Sequence, residues 1–161
     1  MDVKFRSQCA IASALDLVGD KWSLVVIRSL MLGASSYSDL LTAPEKIATN
    51  ILADRLERLE ASGLIVSEAA PLGGKARRIY RLTRAGAELL TTLQAIAAWG
   101  EAHIPGRWRV PRWFMSAKPN DFLNVKTPSA HPEAAARTWT LGRKRMRATD
   151  PSKRGGNTDS G

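Results

Sequence analysis

The sequence has a single cysteine, Cys9, and only two histidines, His103 and His131. One thiol cannot form an intrachain disulfide, and so few sulfur and imidazole ligands exclude a cysteine-rich zinc site. This use of cysteine favours a reducing compartment, so we expect the cytoplasm. Neither histidine has a carboxylate or thiol partner at the spacing of a catalytic motif. The sequence therefore predicts no enzyme activity, no metal and no cofactor.

Long apolar runs are also absent. No stretch of about 18 consecutive apolar residues occurs, and residues 1–6 lack the pattern of a signal peptide. We therefore expect no association with a membrane. Gly73 and Gly74 do not form a phosphate-binding loop, because the strand-to-helix pattern that such a loop needs is missing around them.

Positive charge is in excess, with a net charge of +9 over 161 residues, but it is unevenly distributed. Residues 1–106 carry 12 basic and 11 acidic side chains, whereas residues 107–161 carry 12 basic and 4 acidic ones. The isoelectric point therefore says little about the part of the chain that folds. A local pattern is more informative, because residues 69–84 contain no acidic residue and five basic ones: Lys75, Arg77, Arg78, Arg81 and Arg84.

Hydrophobic periodicity predicts four helices in the first part of the chain: residues 9–18, 21–32, 38–41 and 49–62. Asp20 has N-cap chemistry for the second helix, and Ser36 or Tyr37 opens the third. Gly63 follows the fourth helix, where a left-handed residue is needed. The apolar residues of the fourth helix share one side at helical spacing: Ile51, Leu52, Leu56 and Leu59.

Two strand-like runs, residues 64–68 and 77–82, flank a segment that contains Pro71 and the glycine pair, which predicts a β-hairpin. Thr83 is expected to cap one long helix that ends near His103. We therefore expect a folded domain over residues 1–106. Residues 107–161 form a basic, proline-rich extension that is partly or largely disordered. Within that extension, the aromatic residues of 107–125 favour packing against the domain as an extended strap.

This order of elements predicts a mainly α protein with a small hairpin, in which the third and fourth helices form a helix-turn-helix and the hairpin is a wing. An α-helix fits the major groove of duplex DNA, and its first turns present side chains and free N–H groups. Thr49 and Asn50 stand at that end of the fourth helix. The wing would bring Lys75, Arg77 and Arg78 to the adjacent DNA backbone or minor groove.

Each candidate DNA contact has an ordinary structural alternative. Thr49 and Asn50 are also common capping residues. Arg55 lies at the flank of the apolar side, where it would bind a phosphate or form an internal ion pair. Asp54 faces outward with Asn50 and is expected to be solvated or paired with an arginine. Three further residues stand at helix starts, where they would bind phosphate or simply cap the helix: Lys21, Ser36 and Ser38.

Three segments resemble HxlR-type winged-helix transcriptional regulators. They are CAIASALDLVGDKW from Cys9 with IRSLMLG from Ile27, IATNILADRLERLEASGL from Ile47, and YRLTRAG from Tyr80. The resemblance spans about residues 8–104. It implies a homodimer, built mainly from the first and last helices, that binds a palindromic operator in double-stranded DNA. One departure is Ala48, where many relatives have a serine that would make a good N-cap, so Thr49 is the local candidate here.

Cys9 has two interpretations. A lone cysteine is more often an inert apolar filler than a sensor. However, Cys9 begins a helix, where the helix dipole lowers the pKa of a thiol, and Lys4 and Arg6 are close in sequence. The resemblance implies a sensor, because several regulators of this type detect oxidants or electrophiles with a cysteine at this place. Response to such an inducer through Cys9 therefore remains a hypothesis.

A winged helix can also bind another protein or RNA, with no operator at all. The wing distinguishes these functions, because a DNA reader needs cations there, whereas a protein-interaction wing would more often carry exposed apolar residues. Two aromatic residues bear on assembly. Trp22 is expected in the core, and Trp99 in the core or in a dimer interface. The basic cluster at residues 143–147 is either a non-specific DNA arm or a solubilising end.

Overall fold

The computed structural model describes residues 5–72, 75–106 and 109–123. In this part of the chain two antiparallel strands, β1 (Ile65–Leu72) and β2 (Lys75–Leu82), lie between two groups of helices. The helices are α1 (Ala10–Val18), α2 (Ser23–Met31), α3 (Tyr37–Leu41), α4 (Thr49–Ala61), α5 (Arg84–Glu88), α6 (Leu90–His103) and α7 (Arg112–Ser116), and a 3-10 helix covers Pro119–Phe122. The predicted fold class, mainly α with a hairpin wing, is confirmed.

The inner side of α4 forms the centre of the core. Leu52, Leu56 and Leu59 are all buried, as the spacing in the sequence predicted, and Ile51 is half-buried beside them. They belong to one cluster with side chains from α2 and α6, such as Ile27 and Leu90. Each fully buried leucine or isoleucine contributes roughly 1.5–3 kcal/mol through removal of apolar surface from water. Burial of this side leaves the opposite side of α4 facing solvent.

The turn between α3 and α4 is held in place by both apolar and polar contacts. Ala43 and Ile47 are buried on either side of it. Between them, the Glu45 carboxylate accepts two hydrogen bonds from the Arg28 guanidinium of α2, at 2.9 and 3.1 Å. This bidentate pair fixes the turn against α2 and thereby sets the angle at which α4 leaves α3.

The hairpin is longer than predicted. Its register runs from the Ile65–Leu82 pair to the Leu72–Lys75 pair, so both strands extend towards the tip beyond the predicted bounds. Pro71 was interpreted as part of a loop, but it lies in β1 opposite Ala76. Both strands of a two-stranded sheet are edge strands, where a residue without an N–H is tolerated.

The hairpin is fixed to the rest of the domain at two places. The Tyr80 N–H of β2 donates to the Ser35 carbonyl at 2.7 Å, just before α3. At the base of the hairpin, the Thr83 hydroxyl donates to the Gly63 carbonyl at 2.6 Å and accepts from the Gly86 N–H, as the predicted capping role requires. A Cβ on Gly86 would lie 2.0 Å from the Leu64 carbonyl oxygen, so only glycine fits here.

The predicted single long helix is divided. Thr83 caps α5, but regular helical hydrogen bonding is interrupted at Leu89, which separates α5 from α6. The Leu89 N–H donates to the Gly86 carbonyl, three residues back, at 3.3 Å. The spacing of apolar residues does not reveal this three-residue hydrogen bond, because the apolar side chains of α5 and α6 lie on nearly the same side as they would in one continuous helix.

Two helices expose large apolar side chains. On α1, Val18 is buried but Ile11 and Leu15 are 72% and 52% exposed. On α6, Leu90 and Leu93 are buried, whereas Ile96 and Trp99 are 49% and 59% exposed. The Trp99 ring stacks on the His103 ring with centroids 4.9 Å apart. We call these four exposed residues, Ile11, Leu15, Ile96 and Trp99, the apolar surface.

Residues 109–123, which we call the strap, pack on the helices. Phe114 of α7 is buried in the core cluster, and Trp113 and Phe122 pack against it. The Gln94 side-chain amide of α6 donates to the carbonyls of Phe114 and Ala117 at 2.9 and 3.1 Å. The strap contains a helix and a 3-10 turn, so it is less extended than predicted. The cluster at residues 143–147 lies outside the described residues.

Candidate nucleic-acid interface

The start of α4 is exposed and has no side-chain cap. Ala48 is the N-cap residue, and Thr49 and Asn50 form the first turn, with both side chains exposed. The helix therefore begins at Thr49, and neither Thr49 nor Asn50 is consumed as an N-cap. The Tyr37 hydroxyl of α3 donates to the Thr49 carbonyl at 2.6 Å and fixes this turn relative to α3. An uncapped, positively polarised helix end with two polar side chains can bind phosphates or base edges.

Arg55 forms internal ion pairs. Its guanidinium lies 3.1 Å from a carboxylate oxygen of Asp20, which precedes α2, and 2.7 Å from one of Asp54. The Arg55 side chain is only 16% exposed, because it points along the flank of α4 towards α2. Arg55 therefore forms the internal ion pair that was one of its two predicted roles, and it links α4 to the residue that precedes α2. A phosphate contact by Arg55 stays a prediction.

Ser36 also has a structural role. It is 3% exposed, its hydroxyl accepts from the Asp39 N–H at 3.2 Å, and the Asp39 carboxylate accepts from the Ser36 N–H at 2.8 Å. This is a reciprocal capping box at the start of α3. Burial raises the pKa of the Asp39 carboxyl, but hydrogen bonds from Ser35 and Ser36 outweigh it and leave this pKa below its ordinary value. Ser36 therefore has the capping role that was one of its two predicted roles, and a phosphate contact by its hydroxyl stays a prediction.

Ser38 connects the helix-turn-helix to the wing. It is exposed on the first turn of α3, and its hydroxyl accepts a hydrogen bond from the Arg77 guanidinium of β2 at 3.0 Å. Arg77 and Ser38 are 39 residues apart in sequence, so the fold brings together two of the predicted site residues. A phosphate that approached this point would meet a guanidinium and a hydroxyl at once.

The cations of the wing are not all equal. Arg77 and Arg78 are exposed. Arg81 is partly offset, because its guanidinium lies 3.5 Å from the Glu68 carboxylate on β1. Glu68 lies just before residues 69–84, which contain no acidic residue, and the pairing of β1 with β2 places it beside Arg81. The Lys75 backbone pairs with Leu72, but its side chain is not among those described. Arg77 and Arg78 therefore carry the described positive charge of the wing.

Lys21 lies beside the start of α2. Its side chain is exposed, with Nζ 4.9 Å from the centre of the Trp22 ring, and Trp22 is half-buried against the core. Helix α2 begins two residues later than predicted. Asp20 still serves that helix, since its carboxylate accepts from the N–H groups of Trp22 and Ser23 at 2.7 and 3.0 Å. The ammonium of Lys21 remains accessible to an anion.

Sequence reasoning missed two residues of this surface. Tyr37 was considered only as the opening of α3, and its hydrogen bond to the start of α4 has no sequence signal. Arg58 was not singled out, although it stands four residues after Asp54 on α4 and donates to that carboxylate at 3.3 Å. An acid followed by a base at this spacing is a recognisable helix-surface pair, so Arg58 could have been found.

Cys9 is exposed and occupies the N-cap position of α1. The N–H groups of Ala12 and Ile11 interact with its sulfur and lower the pKa of the thiol below its ordinary value. The predicted nearby cation Arg6 is engaged elsewhere, in an ion pair with Asp16, and Lys4 lies outside the described residues. The helix start is thus the described cause of the shift in pKa, and the filler alternative does not fit an exposed side chain.

In the part of the chain that the structure describes, no cluster of three or more histidine, cysteine, aspartate or glutamate side chains could hold a metal ion. Nor does any helix within it have the length and apolar content needed to cross a membrane.

The chain is similar in sequence to HTH-type transcriptional regulators. A regulator from Methanothermobacter thermautotrophicus, described as an uncharacterized HTH-type transcriptional regulator, is 32% identical over 95 residues, which cover 59% of this chain and 72% of the relative. The HTH-type transcriptional regulator YodB of Bacillus subtilis is 29% identical over 89 residues, which cover 55% of this chain and 79% of YodB.

Solved structures agree with these relatives. PA1607 superposes with a TM-score of 0.59 and 34% identity over 65% of this chain and 73% of that one. The reduced form of YodB superposes with a TM-score of 0.52 and 26% identity over 63% of this chain and all of YodB. The model of the HxlR-like helix-turn-helix family matches residues 17–107, which include the whole of the helix-turn-helix and the wing. The chain therefore belongs to the HxlR-like helix-turn-helix family.

Proposed function

We propose that this chain is a transcriptional regulator that binds double-stranded DNA sequence-specifically, with α4 in the major groove and the hairpin on the adjacent backbone. The start of α4 carries the proposal. Thr49 and Asn50 are exposed there on a helix end without a side-chain cap. Asparagine can bond an adenine edge with two hydrogen bonds, and threonine can bond a phosphate or touch a thymine methyl group.

The surroundings of α4 fit a polyanion. Arg77 and Ser38 form one polar contact at the start of α3, Arg78 is exposed at the following position of β2, and Lys21 presents a further ammonium beside α2. Each phosphate that such groups neutralise releases a counterion, which makes affinity steeply dependent on salt. Among the described side chains of the wing, Arg77 and Arg78 are exposed and Val66 is the single large apolar side chain that is exposed beside them, which favours DNA over a protein partner.

We also propose that the chain acts as a homodimer through α1 and α6 on a palindromic operator. The apolar surface supports this assembly, because its four large side chains are about half or more exposed in one copy. Exposed apolar side chains of this size on two helices are typical of surfaces that another protein covers. A twofold dimer would present two copies of α4 to two half-sites.

Selection of bound fragments from a random duplex library tests this function. We expect an enriched palindromic motif, with affinity that falls steeply between two salt concentrations. Single-stranded RNA of the same length serves as the comparison and should bind weakly, with no enriched sequence. Equal binding of RNA and duplex, without enrichment, would refute the DNA-reading role and favour the alternative of an RNA-binding or protein-binding module.

A response to oxidants or electrophiles through Cys9 is a second proposal. The thiol is exposed, stands at a helix N-terminus and has a lowered pKa, and thiolate is the form that reacts. The relative YodB has a solved structure that is described as its reduced form. A free thiol of this kind fits the reducing cytoplasm, where we propose that the chain acts. Since Cys9 is the only cysteine, any disulfide must join two subunits or a small thiol.

Operator binding before and after treatment with diamide or a quinone tests this response. We expect treatment to change the affinity of the wild type and to leave Cys9→Ser unchanged. A Cys9→Ser protein that still loses operator binding under treatment would rule out Cys9 as the sensor. The untreated variant controls for any direct effect of the substitution on DNA binding.

A further inference from the structure

Asn50, Asp54 and Arg58 follow one another on α4 at intervals of four residues, so they lie about one turn apart along its outer surface. Asp54 and Arg58 have side chains that are 46% and 63% exposed. The Arg58 Nε–H donates to one carboxylate oxygen of Asp54 at 3.3 Å. Long side chains in a helix lean towards its N-terminus, and this hydrogen bond keeps Arg58 leaning towards Asp54 and Asn50.

Asp54 is itself held in place from the other side. Its second carboxylate oxygen accepts from the Arg55 guanidinium at 2.7 Å, and Arg55 is anchored in turn by Asp20, 3.1 Å away. The carboxylate of Asp54 therefore lies between a largely buried guanidinium and an exposed one. Arg58, together with the Arg55 guanidinium that Asp54 shares with Asp20, lowers the repulsion that a lone carboxylate would meet near DNA phosphates.

The hydrogen bond to Asp54 uses only the Nε–H of Arg58. Among the described residues, none forms a hydrogen bond with its two terminal nitrogens. These nitrogens lie in the plane of the guanidinium and can make two parallel hydrogen bonds to one acceptor pair. A guanine presents such a pair, N7 and O6, in the major groove, and arginine is its commonest partner.

We propose that Arg58 reads a guanine of the operator and that Asp54 is the positioning residue that orients its guanidinium. This inference rests on the proposed function, because it requires α4 to lie in the major groove. A guanine is favoured over a phosphate because a carboxylate that fixes the plane of the guanidinium benefits a bidentate contact. A phosphate contact needs only a charge, and Asp54 would weaken it.

The test determines the binding motifs of the wild type and of three full-length variants by selection from a random duplex library. In Arg58→Lys the charge is kept but the planar fork is lost, so preference for guanine at one position of each half-site should fall by about fivefold or more. Arg58→Ala should lose the same preference. Asp54→Asn should weaken it less and should leave the other positions unchanged, which a merely structural role of Asp54 would not do.

The chain offers a matched control in Arg84 and Glu88 of α5. This pair has the same spacing of four residues, with Nε–Oε1 at 3.0 Å, and both side chains are exposed. Arg84→Lys should leave the motif unchanged. Thermal unfolding of every variant shows whether a changed motif reflects lost structure.

Each outcome separates this proposal from the proposed function. If the wild type enriches no motif, both are wrong. If the wild type enriches a motif but Arg58→Lys changes no position of it, only the role of Arg58 is wrong. If Arg58→Ala weakens binding to all sequences equally and lowers the salt slope by about 0.9, Arg58 binds a phosphate and the guanine assignment is overturned.

Discussion

Helices α4 and α6 are nearly equal in length, with 13 and 14 residues, but they distribute their apolar side chains differently. In α4, every leucine is buried and the outer side carries Asn50, Asp54 and Glu57. In α6, Leu90 and Leu93 are buried, whereas Ile96 and Trp99 extend the apolar pattern into solvent. One helix has a polar face left for a partner, and the other has an apolar one.

This difference indicates what each helix requires. A helix that buries its leucines within one copy needs no further protein to cover them, and its polar face can bind a charged ligand such as DNA. A helix that leaves a tryptophan and an isoleucine exposed to water is stabilised when a second copy covers these side chains. The comparison therefore supports the proposal that α4 recognises DNA and that α6 forms part of the dimer interface.

The largest expected effect is on folding, from Leu52→Ala in α4. Leu52 is completely buried, so its truncation should lower the free energy of unfolding by about 2–5 kcal/mol. Urea denaturation followed by circular dichroism measures the change. Glu57→Ala, on the outer side of the same helix, is the control and should stay within about 0.5 kcal/mol of the wild type. Similar losses in both variants would contradict the division of α4 into two sides.

Trp99→Ala tests the apolar face of α6. The side chain is mostly exposed within one copy, so each copy should remain folded without it. We expect the dissociation constant of the dimer to rise by about 30-fold, which corresponds to ~2 kcal/mol. Analytical ultracentrifugation over a range of concentrations gives the constant. Thr91→Ala, at an exposed position of the same helix, should leave it unchanged. A dimer insensitive to Trp99→Ala would place the interface elsewhere.

Asn50→Ala tests the polar face of α4. Loss of a bidentate contact to adenine should reduce the preference for the selected operator over random duplex by about 1–3 kcal/mol. Fluorescence anisotropy with both duplexes measures the two affinities. If both fall by the same factor, Asn50 contacts the backbone rather than a base.

Arg78→Ala tests the wing, which we expect to contribute equally to the affinity for the operator and for random duplex. We expect a modest loss of affinity for operator and random duplex, and a decrease of about 0.9 in the slope of log affinity against log salt if one phosphate contact is removed. Arg81→Ala is the comparison, because Glu68 lies 3.5 Å from the Arg81 guanidinium and already offsets its charge. A larger change in Arg81→Ala than in Arg78→Ala would reverse the assignment.

Asp20→Asn should have the smallest effect, on stability in acid. Partial burial raises the pKa of Asp20, but hydrogen bonds from Ser23 and Trp22 and the charge of Arg55 outweigh it, so the pKa lies below its ordinary value. The ionised form therefore stabilises the fold at neutral pH, and this contribution is lost as the pH falls through the lowered pKa. Thermal unfolding from pH 7 to 3 should show a shallower decline in Asp20→Asn. An unchanged profile would contradict the prediction.

Much of the fold was predictable because local chemistry and burial agree. The spacing of the leucines in α4 identified its buried side, and the Thr83 cap and the paired strands followed from residue preferences. The helix start at Thr49 was harder, since Ala48 caps with its backbone alone and leaves no side-chain signal. The break at Leu89 and the strand over Pro71 depend on backbone hydrogen bonds that no residue type announces.

The site was less predictable, because the same residue types bind DNA or stabilise the fold. Arg55 and Ser36 look like DNA contacts in sequence and are used internally, since Asp20 and Asp39 lie where they can pair with them. Conversely, the contact between Ser38 and Arg77 depends on a hairpin that returns to α3 over 39 residues. Only the fold decides which polar groups remain available.

The strap has a practical consequence for shortened forms of the protein. The segment that matches the family ends at residue 107, but Phe114 lies in the core and the Gln94 side chain donates a hydrogen bond to its carbonyl. A chain cut at Gly106 would lose a buried phenylalanine, worth about 3–5 kcal/mol, out of a total stability that is typically about 5–15 kcal/mol. A shortened form that lacks the basic segment 124–161 should therefore end at Leu123. The effect of removing this segment on DNA binding can then be measured without a loss of core stability.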